Sequence, residues 1–400
     1  MGQELAQQSQ QTGDTLQVSC TLRELLLYFL RLGTFGFGGP IALAGHMQRD
    51  LVERRHWVSK QDYLEGLALA QLAPGPLAAQ LAIYLGWVRA GVLGATLVSI
   101  AFILPSFLMV LAISAVYIRF GGLSWMQGAF YGIGAGVIAI IVRSAAKLMR
   151  MTLAKDWLLW LLFLVSGLVT AWTEREIVWL FVLCGVASLL ANAMRGSVQM
   201  TSAFLFLSSP VWVISGIQGA ASTKTLWQIG LYFAEAGAFV FGSGLAIVPF
   251  LYGGVVGHFH WLNERQFLDA VAVAMITPGP VVITVAFIGY LVSGPLGATV
   301  AALGVFLPCY LFVIIPAKYF RRFAKNNYVK AFVDGVTAAA IGAIAGAVYV
   351  LARRSLIDVP TVAIGLVTLA LLTFTKKVSE PIVILVAGVI GVLLHGRVGQ

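Results

Sequence analysis

The chain alternates long apolar stretches with short polar loops, and thirteen of the stretches approach the roughly 20 residues a helix needs to cross a bilayer. Seven lie near 22–46, 63–88, 91–117, 126–148, 157–172, 177–194 and 202–220. Six follow near 226–250, 267–292, 296–317, 330–352, 358–375 and 381–396. The pattern predicts an all-α polytopic membrane protein of about 13 transmembrane segments. Four stretches carry helix breakers: Gly36-Phe37-Gly38-Gly39-Pro40, Pro74-Gly75-Pro76, Phe241-Gly242-Ser243-Gly244 and Pro278-Gly279-Pro280. Each break frees backbone groups at membrane depth, which is tolerated only inside protein or along a cavity. The broken segments are therefore expected to span with an interruption or to turn back as re-entrant elements.

The breaks belong to an internal repeat. Shifting the chain by 204 residues aligns 21–80 with 225–284 without a gap, with 19 of 60 positions identical. The matches include Tyr28-Phe29 with Tyr232-Phe233, Gly33 with Gly237, His56-Trp57 with His260-Trp261, and the whole Pro-Gly-Pro. After one dropped residue, Gly94-Ala95-Thr96 pairs with Gly297-Ala298-Thr299. Helix-start signals recur as well: Thr21 with Glu24 and Thr225 with Gln228 have capping-box spacing, and Ser59 with Asp62 and Asn263 with Gln266 do the same for the next helix. This sets the domain expectation: a disordered cytoplasmic tail at 1–20, a first repeat at 21–200, a connecting span at 201–224 and a second repeat at 225–400. Seven segments separate the two starts, an odd number, so the repeats are expected to be inverted and inserted in opposite directions.

Composition agrees. Hydrophobic residues make up 60% and charged residues 10%, against about 25% charged in a soluble domain. The net charge of +10 comes from Lys and Arg in loops, the distribution that orients membrane segments, so nucleic acid is not expected as a partner. With Arg31 set aside, loops on the N-terminal side hold 15 basic residues and those on the other side 10, which puts the N-terminus in the cytoplasm. Cys20, Cys184 and Cys309 have neither disulfide nor metal-ligand spacing and read as buried apolar groups.

Chemistry concentrates at the breaks. Pro74 and Pro76 cannot continue the helix before them. The amides of Leu77, Ala78 and Ala79 open a new helix without intrahelical acceptors, and a helix N-terminus of this kind suits an anion. Val281, Val282 and Ile283 would do the same in the second half. Gly36, Gly38 and Gly39 permit positive φ and close backbone approach, and Pro40 fits a first helical turn. Arg31 lies inside the first apolar stretch; it either offers its fork of donors to an oxyanion, snorkels to the interface, or pairs with Glu235, its repeat counterpart. Glu235 is a candidate proton carrier or that ion-pair partner. Glu65 and Asp269 either complement helix N-termini or act in a gate or proton relay. Gln71, Gln80, Thr277 and Thr284 flank the breaks as substrate donors or as polar glue between helices. His46, His56 and His260 sit at loop ends, in no metal-site spacing. No Walker A, His-Glu-x-x-His or Gly-x-Ser-x-Gly motif is present, so ATP is not the direct driver and neither an enzyme nor a cofactor is expected.

Phe29-Leu30-Arg31-Leu32-Gly33-Thr34-Phe35-Gly36-Phe37-Gly38-Gly39-Pro40, Gln71-Leu72-Ala73-Pro74-Gly75-Pro76 and their echoes resemble the chromate ion transporter family in its long form with two homologous halves. The resemblance runs from about Leu22 to Arg354 and through the segments beyond. It implies a multi-pass secondary transporter of the bacterial inner membrane that exports chromate and confers chromate resistance, with sulfate as the isosteric competitor. Alternatives are an importer or exchanger of sulfate or another oxyanion, an anion channel, or a membrane scaffold; lipid surrounds the protein in every case, and a homodimer is possible. In the second half Pro40 becomes Gly244, Gly39 becomes Ser243 and Arg31 becomes Glu235. The two halves are therefore given different roles. Arg31, Gly36, Gly38, Gly39, Pro40, Gln71, Pro74, Gly75, Pro76, Leu77 and Ala78 are expected at the substrate. Glu65, Glu235, Gly242, Ser243, Gly244, Asp269, Pro278, Gly279 and Pro280 are expected at a gate or coupling site.

Overall fold

The computed structural model describes residues 20–37, 40–120, 124–153, 156–173, 178–195, 223–239, 247–320, 327–356, 358–375 and 380–398. The elements of the described residues are all helices, joined by short turns, with no strand among them. Of the expected connecting span, only residues 223 and 224 fall within them.

In the first half, α1 (Leu22–Phe35) and α2 (Pro40–Met47), the latter extended by a π-helical stretch Gln48–Arg54, precede α3 (Lys60–Leu72), α4 (Leu77–Phe120), α5 (Ser124–Thr152), α6 (Trp157–Thr173) and α7 (Val178–Arg195). The second half repeats the order. α8 (Thr223–Phe239) and α9 (Ile247–Tyr252), with its π-helical stretch Gly253–His258, lead to α10 (Glu264–Ile276), a 3₁₀ turn Val281–Ile283, α11 (Thr284–Ala317), α12 (Asn327–Ser355), α13 (Val359–Phe374) and α14 (Glu380–Val398). Among the described residues, four stretches are long and apolar enough to cross a membrane: Leu77–Phe120, Trp125–Arg150, Val281–Ala317 and Lys330–Arg353.

Helix starts follow the local signals. Thr21 and Glu24 close a capping box on α1, Asn263 and Gln266 close one on α10, and the Ser59 hydroxyl accepts the Asp62 amide at 3.0 Å. Each arrangement satisfies amides that the first turn leaves without partners. The expected box at Thr225 and Gln228 does not set a helix start. α8 already begins at Thr223, which puts Thr225 inside its first turn. Each π-helical stretch ends in a left-handed histidine, His56 (φ 53°) or His260 (φ 51°), after which Trp57 and Trp261 return an amide to Leu51 and Val255 at 2.8 Å. The repeated His-Trp pair thus marks a matched turn.

The broken stretches are hairpins. A β-carbon placed on Gly66 would strike Cδ1 of Tyr84, and the Tyr84 hydroxyl reaches Oε2 of Glu65 at 3.3 Å. These residues stand about equally far before and after Pro74-Gly75-Pro76, so the chain reverses there. α3 and residues 77–89 form the two arms, each about 20 Å long at 1.5 Å per residue, short of the roughly 30 Å hydrocarbon core. The chain then folds again at Ala90 and Gly91, where Gly86 and Gly94 press backbone to backbone, and residues 92–120 run on as a long helix. α11 repeats this fold at Ser293 and Gly294, with Gly289 against Gly297. α1 and α2 form the other hairpin: Arg55 stacks over Tyr28 at 5.8 Å, and in the second half Tyr232 of α8 donates to the Phe250 carbonyl of α9 at 2.8 Å. Each half therefore carries two hairpins, one formed by α1 and α2 or by α8 and α9 and one turning at Pro-Gly-Pro.

The remaining helices are exchanged between halves. α5 packs against α13 and α14, while α12 packs against α6 and α7. Glycines let the backbones approach, the usual route to close association in lipid. Gly132 lies against Ala387 and Gly391, and Gly335 lies against Cys184 and Ser188 at the equivalent positions. Gly388 against Ile133 and Ala129 matches Gly185 against Val336 and Phe332. Across the pairs, Arg143 meets Glu380 at 3.4 Å and Tyr131 donates to Asp358 at 2.5 Å.

Candidate functional site

The hairpin tips meet at the centre. The Gly279 amide, in the second Pro-Gly-Pro, donates to the Gly36 carbonyl at the tip of the first glycine hairpin over 3.0 Å. Ser106 of α4 donates to the Gly33 carbonyl at 3.3 Å, and a β-carbon on Gly279 would collide with its hydroxyl oxygen. The second half mirrors this. Cys309, the counterpart of Ser106, has its thiol 3.6 Å from the Gly237 carbonyl, and a β-carbon on Gly75 would lie 2.8 Å from that sulfur. Each Pro-Gly-Pro tip therefore sits against the long helix of the opposite half.

Two of these tips need glycine for its backbone. Gly75 (φ 134°) and Gly279 (φ 98°) occupy conformations that L side chains rarely adopt. Gly36 differs from expectation: its φ is −78°, ordinary extended backbone, and glycine is required because a side chain would strike the Leu32 carbonyl. Pro40 opens α2 as expected. Gly38, Gly39, Gly242, Ser243 and Gly244 lie outside the described residues.

Behind the first Pro-Gly-Pro, α4 starts at Leu77, and Leu77, Ala78 and Ala79 are all buried. Gln80 is fully buried, gives its amide to the Pro76 carbonyl at 3.0 Å and reaches back across the turn to the Pro74 carbonyl at 2.5 Å. This bond ties the turn to the new helix, so the first-turn amides lie at a fixed, buried helix start whose dipole favours negative charge. The second half departs from expectation. Val281–Ile283 form a 3₁₀ turn in which Ile283 gives its amide to Pro280, removing one of the three donors foreseen there. Thr277 and Thr284 turn their hydroxyls onto carbonyls close by in their own chain segments, and Gln71 is exposed.

Arg31 and Glu235 are both exposed on their helices, and among the described residues no ion pair joins them. Glu65 and Asp269 occupy matched positions in unlike surroundings. Glu65 is half-buried and takes the Gln61 amide at 3.1 Å as well as the Tyr84 hydroxyl. Asp269 is only 4% exposed and accepts the Tyr117 hydroxyl at 2.6 Å. Tyr117 was not legible as a site residue: it ends an apolar stretch 152 positions away from Asp269, and its repeat counterpart is Phe320, so neither spacing nor symmetry pointed to it.

Long apolar helices joined to glycine- and proline-tipped hairpins define an integral membrane protein built from two copies of one unit. A family model described as chromate transporter matches residues 23–189 and 227–392, and the chain belongs to the chromate transporter family. A chromate transport protein of Cupriavidus metallidurans is 60% identical over 375 residues, 94% of each chain. A probable chromate transport protein of Synechococcus elongatus is 55% identical over 94% of this chain and 96% of its own. An uncharacterized transporter of Methanocaldococcus jannaschii is 25% identical over 92% and 94% respectively. No solved structure matches.

Proposed function

We propose that this protein is a secondary carrier that exports chromate across the bacterial inner membrane and so confers chromate resistance. The observation that carries the reading is the direct contact of hairpin tips from both halves, Gly279 to Gly36, beside a buried helix start at Leu77. Discontinuous helices with N-termini aimed at a midplane ligand are how carriers hold anions. The names of the relatives supply the oxyanion. The dianion sits between Arg31, the Gly36–Pro40 tip including Gly38 and Gly39, and the Gln71–Ala78 turn containing Pro74, Gly75, Pro76 and Leu77. Glu65, Asp269, Glu235, Gly242, Ser243, Gly244 and Pro278-Gly279-Pro280 gate or couple the movement.

Opposite insertion of the halves has support from one contact. The Thr96 hydroxyl of α4 meets the Tyr310 hydroxyl of α11 at 2.5 Å. Parallel helices related by the repeat would pair Thr96 with residues near Thr299; an offset of 11 further positions fits helices running past one another in opposite directions. With the N-terminus in the cytoplasm, a dianion leaving the cell moves down the membrane potential, worth about 2.3 kcal/mol per charge per 100 mV.

The test is radiolabelled chromate uptake into inverted membrane vesicles, with potential and pH gradient imposed separately and sulfate added as competitor. The reading expects saturable uptake driven by an inside-positive potential. Uptake that follows the potential without saturating would replace it with a channel, and uptake that ignores both gradients but requires sulfate on the far side would replace it with a sulfate exchanger.

A further inference from the structure

The two Pro-Gly-Pro hairpins share a fold and differ in what covers them. α10 rests on α5 and α14, whereas among the described residues the equivalent α3 makes no comparable contact with α12 or α7. On the covered side Tyr117 ends the long helix of the first half. Its hydroxyl donates to Oδ2 of Asp269 at 2.6 Å and its ring stands edge-on to Phe287 at 5.2 Å and to Phe130 at 5.5 Å. Arg265 adds a bond to the Gln127 carbonyl at 3.0 Å, and Leu268 lies 3.9 Å from the β-carbon position of Gly134. A hydroxyl and a carboxyl oxygen at this distance form a short hydrogen bond.

On the uncovered side the repeat places Phe320 for Tyr117, Glu65 for Asp269, Gln61 for Arg265 and Leu64 for Leu268. Phe320 has no hydroxyl to give. Glu65 turns to Gln61 and Tyr84 of its own hairpin, and Leu64 beside it is 49% exposed. Among the described residues one sequence repeat thus takes two arrangements, with α10 docked on α5 and α14 and α3 standing off α12 and α7.

We infer that Tyr117 is a positioning residue that holds the second Pro-Gly-Pro hairpin shut, and that transport exchanges the two states: α10 leaves α5 and α14 as α3 closes onto α12 and α7. Packed interfaces of this kind switch between discrete arrangements and do not deform continuously. The repeat supplies the second arrangement, because every contact the docked hairpin makes has a counterpart position on the other side. The asymmetry also has a cause in the sequence. Only the second hairpin can be latched by a hydroxyl at the Tyr117 position on a carboxylate, so the resting protein favours the state with that hairpin closed. This inference rests on the carrier reading above and adds to it the residue that sets the resting state.

Two cysteine pairs test it in a background with Cys20, Cys184 and Cys309 replaced. Gly134→Cys with Leu268→Cys reports the docked second hairpin, and Thr337→Cys with Leu64→Cys, at the matched positions of the repeat, reports the same closure in the first. A short bis-thiosulfonate linker applied to the protein in membranes should join the first pair readily and the second pair weakly. Tyr117→Phe, which keeps the ring, should raise the second-pair yield relative to the first by about tenfold, the worth of one buried hydrogen bond. Linking the first pair should arrest flux. An unchanged ratio in Tyr117→Phe, or a second pair that never links in either background, would overturn the inference. Linking is read without substrate, so exchanged yields without chromate flux would remove the chromate reading and leave this one standing.

Discussion

The Gly279 amide donates to the Gly36 carbonyl over 3.0 Å, although 243 positions of chain separate them. Both glycines stand at hairpin tips, one in each half; the Gly36 amide is returned to the Leu32 carbonyl of α1 at 2.7 Å, while its carbonyl lies beyond the helix and takes the Gly279 amide. In a hydrocarbon surrounding an unpaired amide or carbonyl is costly, so each tip stabilises the other, and the bond fixes where the halves touch.

Gly279→Ala tests that contact. The new methyl meets the Ser106 hydroxyl well inside contact distance and forces a φ of 98° on an L residue. Together these cost about 2–4 kcal/mol, and flux should be lost while the protein melts earlier in detergent. Adding Ser106→Gly removes the clash and should recover part of the melting temperature, leaving the backbone strain. Equal melting of single and double variants would mean that the two halves do not meet there.

Arg31→Gln separates binding from folding. The guanidinium is exposed and no ion pair holds it among the described residues, so protein amount in the membrane should be unchanged. The apparent affinity for chromate should fall tenfold or more, about 1.4 kcal/mol. If instead Arg31 only snorkels to the interface, uptake at every chromate concentration will match the parent.

The exchanged helices make a second stability prediction. A valine at Gly132 would strike the Ala387 carbonyl, and a valine at Gly335 would strike the Cys184 carbonyl, which a β-carbon approaches to 2.6 Å. Backbone cannot yield as a side chain does, so both variants should accumulate poorly, to similar extents, because the contacts are matched. Normal accumulation of either one would contradict the pairing of α5 with α14 or of α12 with α7.

Cap residues should show smaller, local effects. Asn263→Ala removes the acceptor for the Gln266 amide at 2.9 Å, and Ser59→Ala removes the acceptor for Asp62. Each should cost about 1 kcal/mol, read as a modest drop in detergent melting temperature with chromate uptake retained.

The repeat was legible because it is written in residue types with strict backbone consequences. Pro-Gly-Pro stops a helix wherever it stands, and Thr21, Ser59 and Asn263 cap where their spacing says. The direction of the chain after each break was not legible. A break announces an interruption, and only the meeting of Gly66 with Tyr84, two residues of no special pattern, reveals that the chain turns back. The exchange of α5 and α12 between halves was hidden for another reason. Membrane helices are apolar on every side, so no polar face tells which neighbour each prefers, and the small residues that decide it are scattered among many glycines. Arg31 and Glu235 could be placed within helices from sequence, but whether they paired depended on the rotation of α1 and α8.

Counterflow in liposomes holding the purified protein tests the central claim most directly. With unlabelled chromate inside and trace labelled chromate outside, converging tips that bind the dianion and alternate should accumulate label transiently above equilibrium, saturably with external chromate, and Gly279→Ala should abolish the overshoot. Label that only equilibrates, at a rate rising linearly with concentration, would contradict the account.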